Sequence, residues 1–168
     1  SLTKAGVNAV PYHAGLDQST RRTNQERFAS EDVDVVVATV AFGMGIDRSN
    51  VRYVVHAGLP RSIEHYQQEA GRAGRDRLPA ECVLIYSAQD LLTWRHILSD
   101  LVGPVADRAE EKLKEVYRFA RALACRHRFL VEYFGEPFTA ASCGACDVCL
   151  EEHAIQPDSV VMAQKILS

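Results

Sequence analysis

The chain has 168 residues, of which 47% are hydrophobic and 24% charged, and no apolar run reaches the length of a membrane span. Its net charge of −3 argues against a domain that binds nucleic acid through bulk positive charge, so any such binding must be local. Its first residues lack the regions of a secretory signal peptide, which predicts a cytoplasmic protein with no membrane partner.

Up to Pro79 the chain alternates strand and helix patterns, which is typical of βαβ units on a parallel sheet. Capping residues, β-branched runs and glycines set the boundaries. The predicted elements are a strand at Val7–Pro11, a helix from a cap at Asp17 or Ser19 through Phe28, a strand at Val33–Ala38 buried on both faces, a strand at Val51–His56, a helix from Ser62 through Gln68, a strand at Cys82–Tyr86 and a helix at Ala88–Leu101.

Strand patterns do not return after Gly103, and two helices are predicted instead. The first covers Asp107–Ala124, with an apolar stripe that ends at Leu123 and Ala124. The second carries Phe129 to Phe134 and is stopped by glycine and proline. Beyond Glu152 the sequence becomes polar and then starts one more helix.

Four cysteines are spaced C-x17-C-x2-C-x2-C, namely Cys125, Cys143, Cys146 and Cys149. A C-x2-C turn lets two thiolates face one ion, and four thiolates suit tetrahedral zinc. Because a closed sulfur shell leaves no position for water, the zinc should be structural. The first ligand is expected at the C-terminal end of a helix.

The same residues have alternative interpretations. The cysteines could be free or paired in disulfides, although a cytoplasmic setting disfavours disulfides. His127 and His153 are possible substitute ligands, but each lies beside the spacing pattern, so exposed histidines are the favoured interpretation. Cys82 stands apart on a predicted strand and is expected in the core rather than at the metal.

The stretch Tyr66–Asp76 reads YQQEAGRAGRD and places Arg72 and Arg75 among small residues. Guanidinium groups bind phosphate oxygens in pairs and keep their charge, so they suit the transition state of phosphoryl transfer. The alternative is a solvated loop that merely carries surface charge.

Two further loops follow predicted strands. Thr39–Asp47 reads TVAFGMGID, in which Gly45 would allow close approach to a phosphate and Asp47 could accept from a ribose or fix an arginine. Tyr12–Leu16 reads YHAGL. The three loops are expected to share one edge of the sheet.

YHAGL, VATVAFGMGID and QQEAGRAGRD, in this order and spacing, resemble the motifs of the second RecA-like lobe of RecQ-family DNA helicases. The cysteine pattern resembles the zinc subdomain that follows that lobe. The resemblance implies an α/β fold, with a RecA-like parallel-sheet lobe at residues 1–103 and a small helical zinc-binding subdomain at 104–152. Residues 153–168 would be a linker and the start of a truncated, winged-helix-like domain.

The resemblance also implies roles for single residues. Arg72 and Arg75 match positions that reach the ATP phosphates, one of them as arginine finger, and Gln68 matches a residue that couples nucleotide to DNA. Asp47 resembles a position tied to nucleotide contact or communication between lobes. His13 and Thr39 match positions near the DNA backbone.

No G-x-x-x-x-G-K-[ST] phosphate loop and no Asp-Glu magnesium motif occurs in the chain. We therefore expect ATP and Mg²⁺ to bind only together with a first lobe that is missing here, and the fragment to be inactive alone. In the whole enzyme the expected partners are single-stranded and forked DNA. The alternative is a zinc-stabilised scaffold module without motor activity.

Overall fold

The computed structural model describes residues 2–39 and 48–152. The chain divides into two compact units, Ser1–Asp100 and Leu101–Ser168. Unit 1 begins with a 3-10 turn at Leu2–Ala5 and continues with β1 Ala9–Tyr12, α1 Gln18–Ala29, β2 Val35–Ala38, β3 Tyr53–His56, α2 Ile63–Ala70, β4 Glu81–Leu84 and α3 Ala88–Ile97. Unit 2 contains α4 Pro104–Arg121 and α5 Arg126–Tyr133. None of the helices described is long and apolar enough to cross a membrane.

The strands of unit 1 pair in parallel, as the alternating pattern predicts. β1 pairs with β2 from Ala9↔Val35 onwards, and β3 pairs with β4 from Tyr53↔Glu81 onwards. Within the described residues these are two separate two-stranded ladders. Each parallel pair is joined by a crossover that contains one helix, α1 or α2.

Helix α1 starts where its cap predicts. The Asp17 carboxylate accepts the backbone N–H of Thr20 at 2.9 Å, and hydroxyl donors on Ser19 and Thr20 hold the pKa of Asp17 well below its usual range. On the inner face of the helix, Asn24 Nδ2 donates to the carbonyl of Pro11 at 2.9 Å. This bond fastens α1 to β1.

A small core lies beneath α1. Val10, Phe28 and Val33 are buried, and Val36 and Val51 pack against them. The prediction that β2 is buried on both faces is wrong, since Val37 is 54% exposed. Val35 and Val36 are half-buried and Val37 and Ala38 are exposed, so burial decreases from the start of β2 to its end.

Cys82 also departs from the sequence interpretation. It is exposed, not part of the core, because β4 pairs with a single described strand and its first residues lie open. Its thiol lies 3.7 Å from the carbonyl oxygen of Ala70. Cys82 is not a member of the cysteine cluster found among the described residues.

In unit 2, the buried stripe of α4 consists of Leu113, Val116, Phe119 and Ala120. The ring of Phe119 lies 5.4 Å from that of Phe129 on α5, measured between centroids. α4 ends at Arg121 because Ala122 is extended, with ψ 139. The predicted continuation to Ala124 is therefore wrong, and Leu123 is 84% exposed.

Candidate metal centre and arginine loop

The four predicted zinc ligands come together in unit 2. The Sγ atoms of Cys125, Cys143, Cys146 and Cys149 all lie within 4.8 Å of one another. Tetrahedral zinc with Zn–S bonds of 2.3 Å needs sulfur atoms about 3.8 Å apart. The cluster therefore fits a closed four-thiolate zinc site, which supplies structural cross-linking and no catalytic position.

Backbone donors surround these sulfur atoms. Cys125 is the N-cap of α5, and its Sγ accepts the N–H of Arg128 at 3.5 Å. Cys146 Sγ accepts the N–H of Arg126 at 3.4 Å. The expectation that the first ligand ends a helix is thus wrong, because α4 stops before it and Cys125 begins the next helix. At a helix N-terminus the helix dipole favours the thiolate that a metal needs.

The tight turn that carries the other ligands also favours ionised sulfur. Donation from the Ser142 hydroxyl, followed by the backbone N–H of Cys143, lowers the pKa of the Cys149 thiol to about 6. Gly144 adopts a φ of +64°, a conformation in which glycine is favoured. His127 is not among the clustered ligands, and His153 lies outside the described residues.

One ion pair beside the cluster was not singled out from sequence. Arg126 makes a bidentate contact with Asp147, with Nε–Oδ1 and Nη2–Oδ2 both 2.9 Å. Arg126 Nη1 also donates to the carbonyl of Phe119 at 2.6 Å. Arg126 therefore links the end of α4 to the turn between Cys146 and Cys149. Only its place next to Cys125 could have drawn attention to it.

The arginine loop, defined here as residues 71–78, follows α2 in unit 1. Ser62 caps α2, as predicted, and is 2% exposed. Gly74 has a φ of +64°, and a Cβ there would lie 3.0 Å from the Leu78 carbonyl oxygen and 3.1 Å from Ala80 Cβ. Both backbone conformation and space therefore favour glycine at this position. Arg75 Nε donates to the Gly71 carbonyl at 3.4 Å, which folds its side chain back over the loop.

Three other predicted site residues, His13, Thr39 and Gln68, lie in the described part of unit 1. Thr39 N donates to the Tyr12 carbonyl at 3.1 Å, so Thr39 and His13 lie at the carboxyl ends of adjacent parallel strands. Gln68 is exposed on α2. Gly45 and Asp47 lie outside the described residues.

The arginine loop does not share that sheet edge. Gly74 N donates to the Val51 carbonyl at 2.9 Å, which places the loop beside the segment entering β3 at its amino end. The prediction of three loops on one edge is wrong for this loop, because α2 runs back between two parallel strands and ends where they begin.

Comparison with known proteins matches both units. Residues 1–77 match the family described as "Helicase conserved C-terminal domain", and residues 88–150 match "RecQ zinc-binding". "ATP-dependent DNA helicase RecQ" of Pasteurella multocida is 48% identical over 100% of this chain and 26% of that protein. The Bacillus subtilis protein of the same name is 42% identical over 99% of the chain and 28% of that protein. The solved structure of the E. coli DEAD-box protein SrmB has 27% identity and a TM-score of 0.48, covering 61% of each chain.

The two family matches, together with the parallel ladders and the four-cysteine cluster, identify a helicase C-terminal lobe with a zinc-binding module. The chain belongs to the RecQ family. It spans about a quarter of the length of the relatives it matches. The predicted fold class, a RecA-like α/β lobe followed by a small helical zinc-binding subdomain, is confirmed, as is structural zinc as its cofactor.

Proposed function

We propose that this chain is part of a cytoplasmic ATP-dependent DNA helicase that couples ATP hydrolysis to movement along single-stranded DNA and to duplex unwinding. The observation that carries the proposal is the arginine loop, in which the close-fitting Gly74 lies between Arg72 and Arg75. Two guanidinium groups on one short loop suit the charge of a transferring phosphoryl group.

The chain contributes one side of the ATPase site. Arg72 and Arg75 reach ATP bound with Mg²⁺ on a first lobe, where one of them stabilises the charge that develops on the phosphate oxygens. Gln68, exposed on α2, couples this site to DNA. Gly45 and Asp47 complete the nucleotide contacts. Without the first lobe the chain has no phosphate loop, so it does not hydrolyse ATP alone.

Contact with DNA is local in this proposal. His13 and Thr39, at the carboxyl ends of β1 and β2, face the phosphate backbone of single-stranded or forked DNA. With a net charge of −3, the chain offers no general attraction to DNA, so the fragment alone binds weakly and in a salt-dependent way. The proposed division into residues 1–103, 104–152 and 153–168 assigns these contacts to the first domain and the zinc to the second.

The test is ATP turnover by the full-length protein carrying Arg72→Ala or Arg75→Ala. Arginine fingers contribute roughly 1,000- to 100,000-fold to turnover, so at least one variant should lose nearly all DNA-stimulated activity while its zinc content stays normal. Arg22→Ala, in an exposed pair on α1, is the control. Normal turnover in both loop variants would instead favour a zinc-stabilised scaffold without motor activity.

A further inference from the structure

The arginine loop is fastened to the short segment Ser49–Arg52 that leads into β3. Two backbone bonds join them: Gly74 N donates to the Val51 carbonyl at 2.9 Å, and Asp76 N donates to the Ser49 carbonyl at 3.2 Å. This segment directly follows the glycine-rich stretch Thr39–Asp47 in sequence. We call this contact between the arginine loop and the segment Ser49–Arg52 the joint.

The segment is itself anchored to the core of unit 1. Arg48, which precedes it, donates from Nη1 to the carbonyls of Phe28 at 3.1 Å and Val33 at 3.2 Å. Its guanidinium carbon lies 4.6 Å from the centroid of the Phe28 ring. The segment thus provides a fixed platform for the arginine loop.

Arg52, the last residue of the platform Ser49–Arg52, adds side-chain contacts to the joint. Its Nη2 lies 2.5 Å from Asp76 Oδ2, its Nη1 donates to the Pro79 carbonyl at 2.9 Å, and its Nε donates to the Asn50 carbonyl at 3.0 Å. The two side chains of the ion pair are 33% and 23% exposed. Every nitrogen of the guanidinium group therefore has a protein acceptor, and all of these acceptors belong to the joint or to its neighbouring residues.

Asp76 completes the joint from the loop side. Its Oδ1 accepts the N–H of Leu78 at 3.1 Å, so one carboxylate holds both the platform and the turn that ends the loop. The hydrogen bond from Arg52 is the main cause that lowers the pKa of Asp76. The carboxylate stays ionised at neutral pH, and the bond remains charge-assisted.

We propose that Arg52 is a positioning residue for the ATPase reaction, which fixes Arg72 and Arg75 through its contact with Asp76. It does not touch the nucleotide. Asp76 is the residue next to Arg75, so a shift at the joint passes directly into the arginine side chains. This inference rests on the proposed function and adds to it the residue pair that orients the arginines.

The experiment uses the full-length protein with Arg52→Gln, Arg52→Lys and Asp76→Asn. Misplacement of a catalytic group by about 1 Å can cost on the order of 100-fold in rate, so Arg52→Gln should lower DNA-stimulated kcat by roughly 10- to 100-fold with little change in KM for ATP. Arg52→Lys keeps the charge but cannot engage all three acceptors and should fall between Arg52→Gln and the parent. Arg22→Gln, which breaks the exposed Arg22–Glu26 pair of the same unit, is the matched control and should leave kcat unchanged.

Combination with Arg72→Lys separates positioning from a general structural role. If Arg52 acts through the loop arginines, Arg52→Gln should lower kcat much less in the Arg72→Lys background than in the parent. If the losses of kcat from Arg52→Gln and Arg72→Lys multiply fully in the double variant, the inference is wrong. Arg52→Lys and Asp76→Asn replace Arg52→Gln if that variant does not fold. A normal DNA-stimulated kcat in both of these folded variants would also overturn the inference. Failure of the proposed function gives a different result from failure of this inference, because Arg72→Ala and Arg75→Ala would then both retain normal ATP turnover.

Discussion

His56, the last residue of β3, is hydrogen-bonded to Glu69, near the end of α2, with 2.8 Å between Nε2 and Oε2. The histidine is 9% exposed, and its ring centroid lies 5.1 Å from that of Tyr66. The bond joins strand and helix two residues before the arginine loop begins. It therefore helps to set where α2 ends.

Replacing His56 by alanine should destabilise unit 1 by about 1–3 kcal/mol, because the Glu69 carboxylate loses its partner in a part-buried site. Urea unfolding followed by the fluorescence of Trp94, the single tryptophan, measures this. Glu69→Gln keeps an oxygen acceptor and should cost less. The exposed His96→Ala is the control, and equal stability of the two histidine variants would contradict the prediction.

Gly74→Ala should cost more than the same change at Gly6. Both glycines have positive φ, +64° and +79°, but a Cβ at Gly6 meets nothing within 4 Å. Gly6→Ala therefore shows the backbone cost alone, about 1–2 kcal/mol, and Gly74→Ala adds crowding against Leu78 and Ala80. Urea unfolding of both variants measures the difference. Equal losses would mean that the loop moves aside freely.

Removing zinc should unfold unit 2 and leave unit 1 folded. Structural zinc contributes about 10–16 kcal/mol in small modules, while whole domains are stable by about 5–15 kcal/mol. A chelator should abolish the circular dichroism signal of α4 and α5 without changing Trp94 fluorescence. Cys143→Ser should have the same effect. Cys82→Ser should keep its zinc, and loss of zinc from it would show that the ligand set is misassigned.

Asp147→Ala should weaken zinc binding by roughly 10- to 100-fold, the usual effect of losing a group that orients metal ligands. The variant loses both contacts from Arg126, which otherwise fix the turn between Cys146 and Cys149. Competition with a chromogenic chelator gives the affinity. Lys114→Gln, which breaks the Lys114–Glu110 pair of the same unit, is the control. An unchanged affinity in Asp147→Ala would show that the cysteines need no such support.

The Arg52–Asp76 pair should make stability depend on acidity. The folded-state pKa of Asp76 lies below its ordinary value of 3.8, so its contribution is present above that value and is lost as pH falls through the folded pKa. The difference in unfolding free energy between the parent and Asp76→Asn should be largest at neutral pH and shrink below about pH 4. Urea unfolding at several pH values, followed by Trp94, tests this. If the difference in unfolding free energy does not change with pH, the charge of Asp76 does not contribute to stability.

Local chemistry could be predicted from the sequence. Asp17 and Ser62 cap helices because their side chains bond to N–H groups three residues later, and such bonds depend only on near neighbours. The cysteine cluster followed in the same way, since a C-x2-C turn brings two sulfur atoms together by itself. Elements of this kind need no knowledge of the rest of the fold.

Contacts between distant residues could not be predicted in this way. His56 and Glu69 are 13 residues apart, and Arg52 and Asp76 are 24 apart. Each pair forms only because α2 returns antiparallel to β3. The exposure of Val37 depended on which elements cover a strand, and the end of α4 depended on the extended conformation of Ala122. The two pairs and the exposure of Val37 were decided by tertiary arrangement rather than by local pattern.

Cys125 both starts α5 and belongs to the zinc cluster, whereas the other three ligands come after that helix. The metal consequently closes a ring of chain around α5 and restricts the unfolded state as a covalent cross-link would. Residues 134–142 join α5 to the next ligand along this ring. A protease cut within them would leave two peptides that stay associated for as long as the ion remains, and that separate when it is withdrawn.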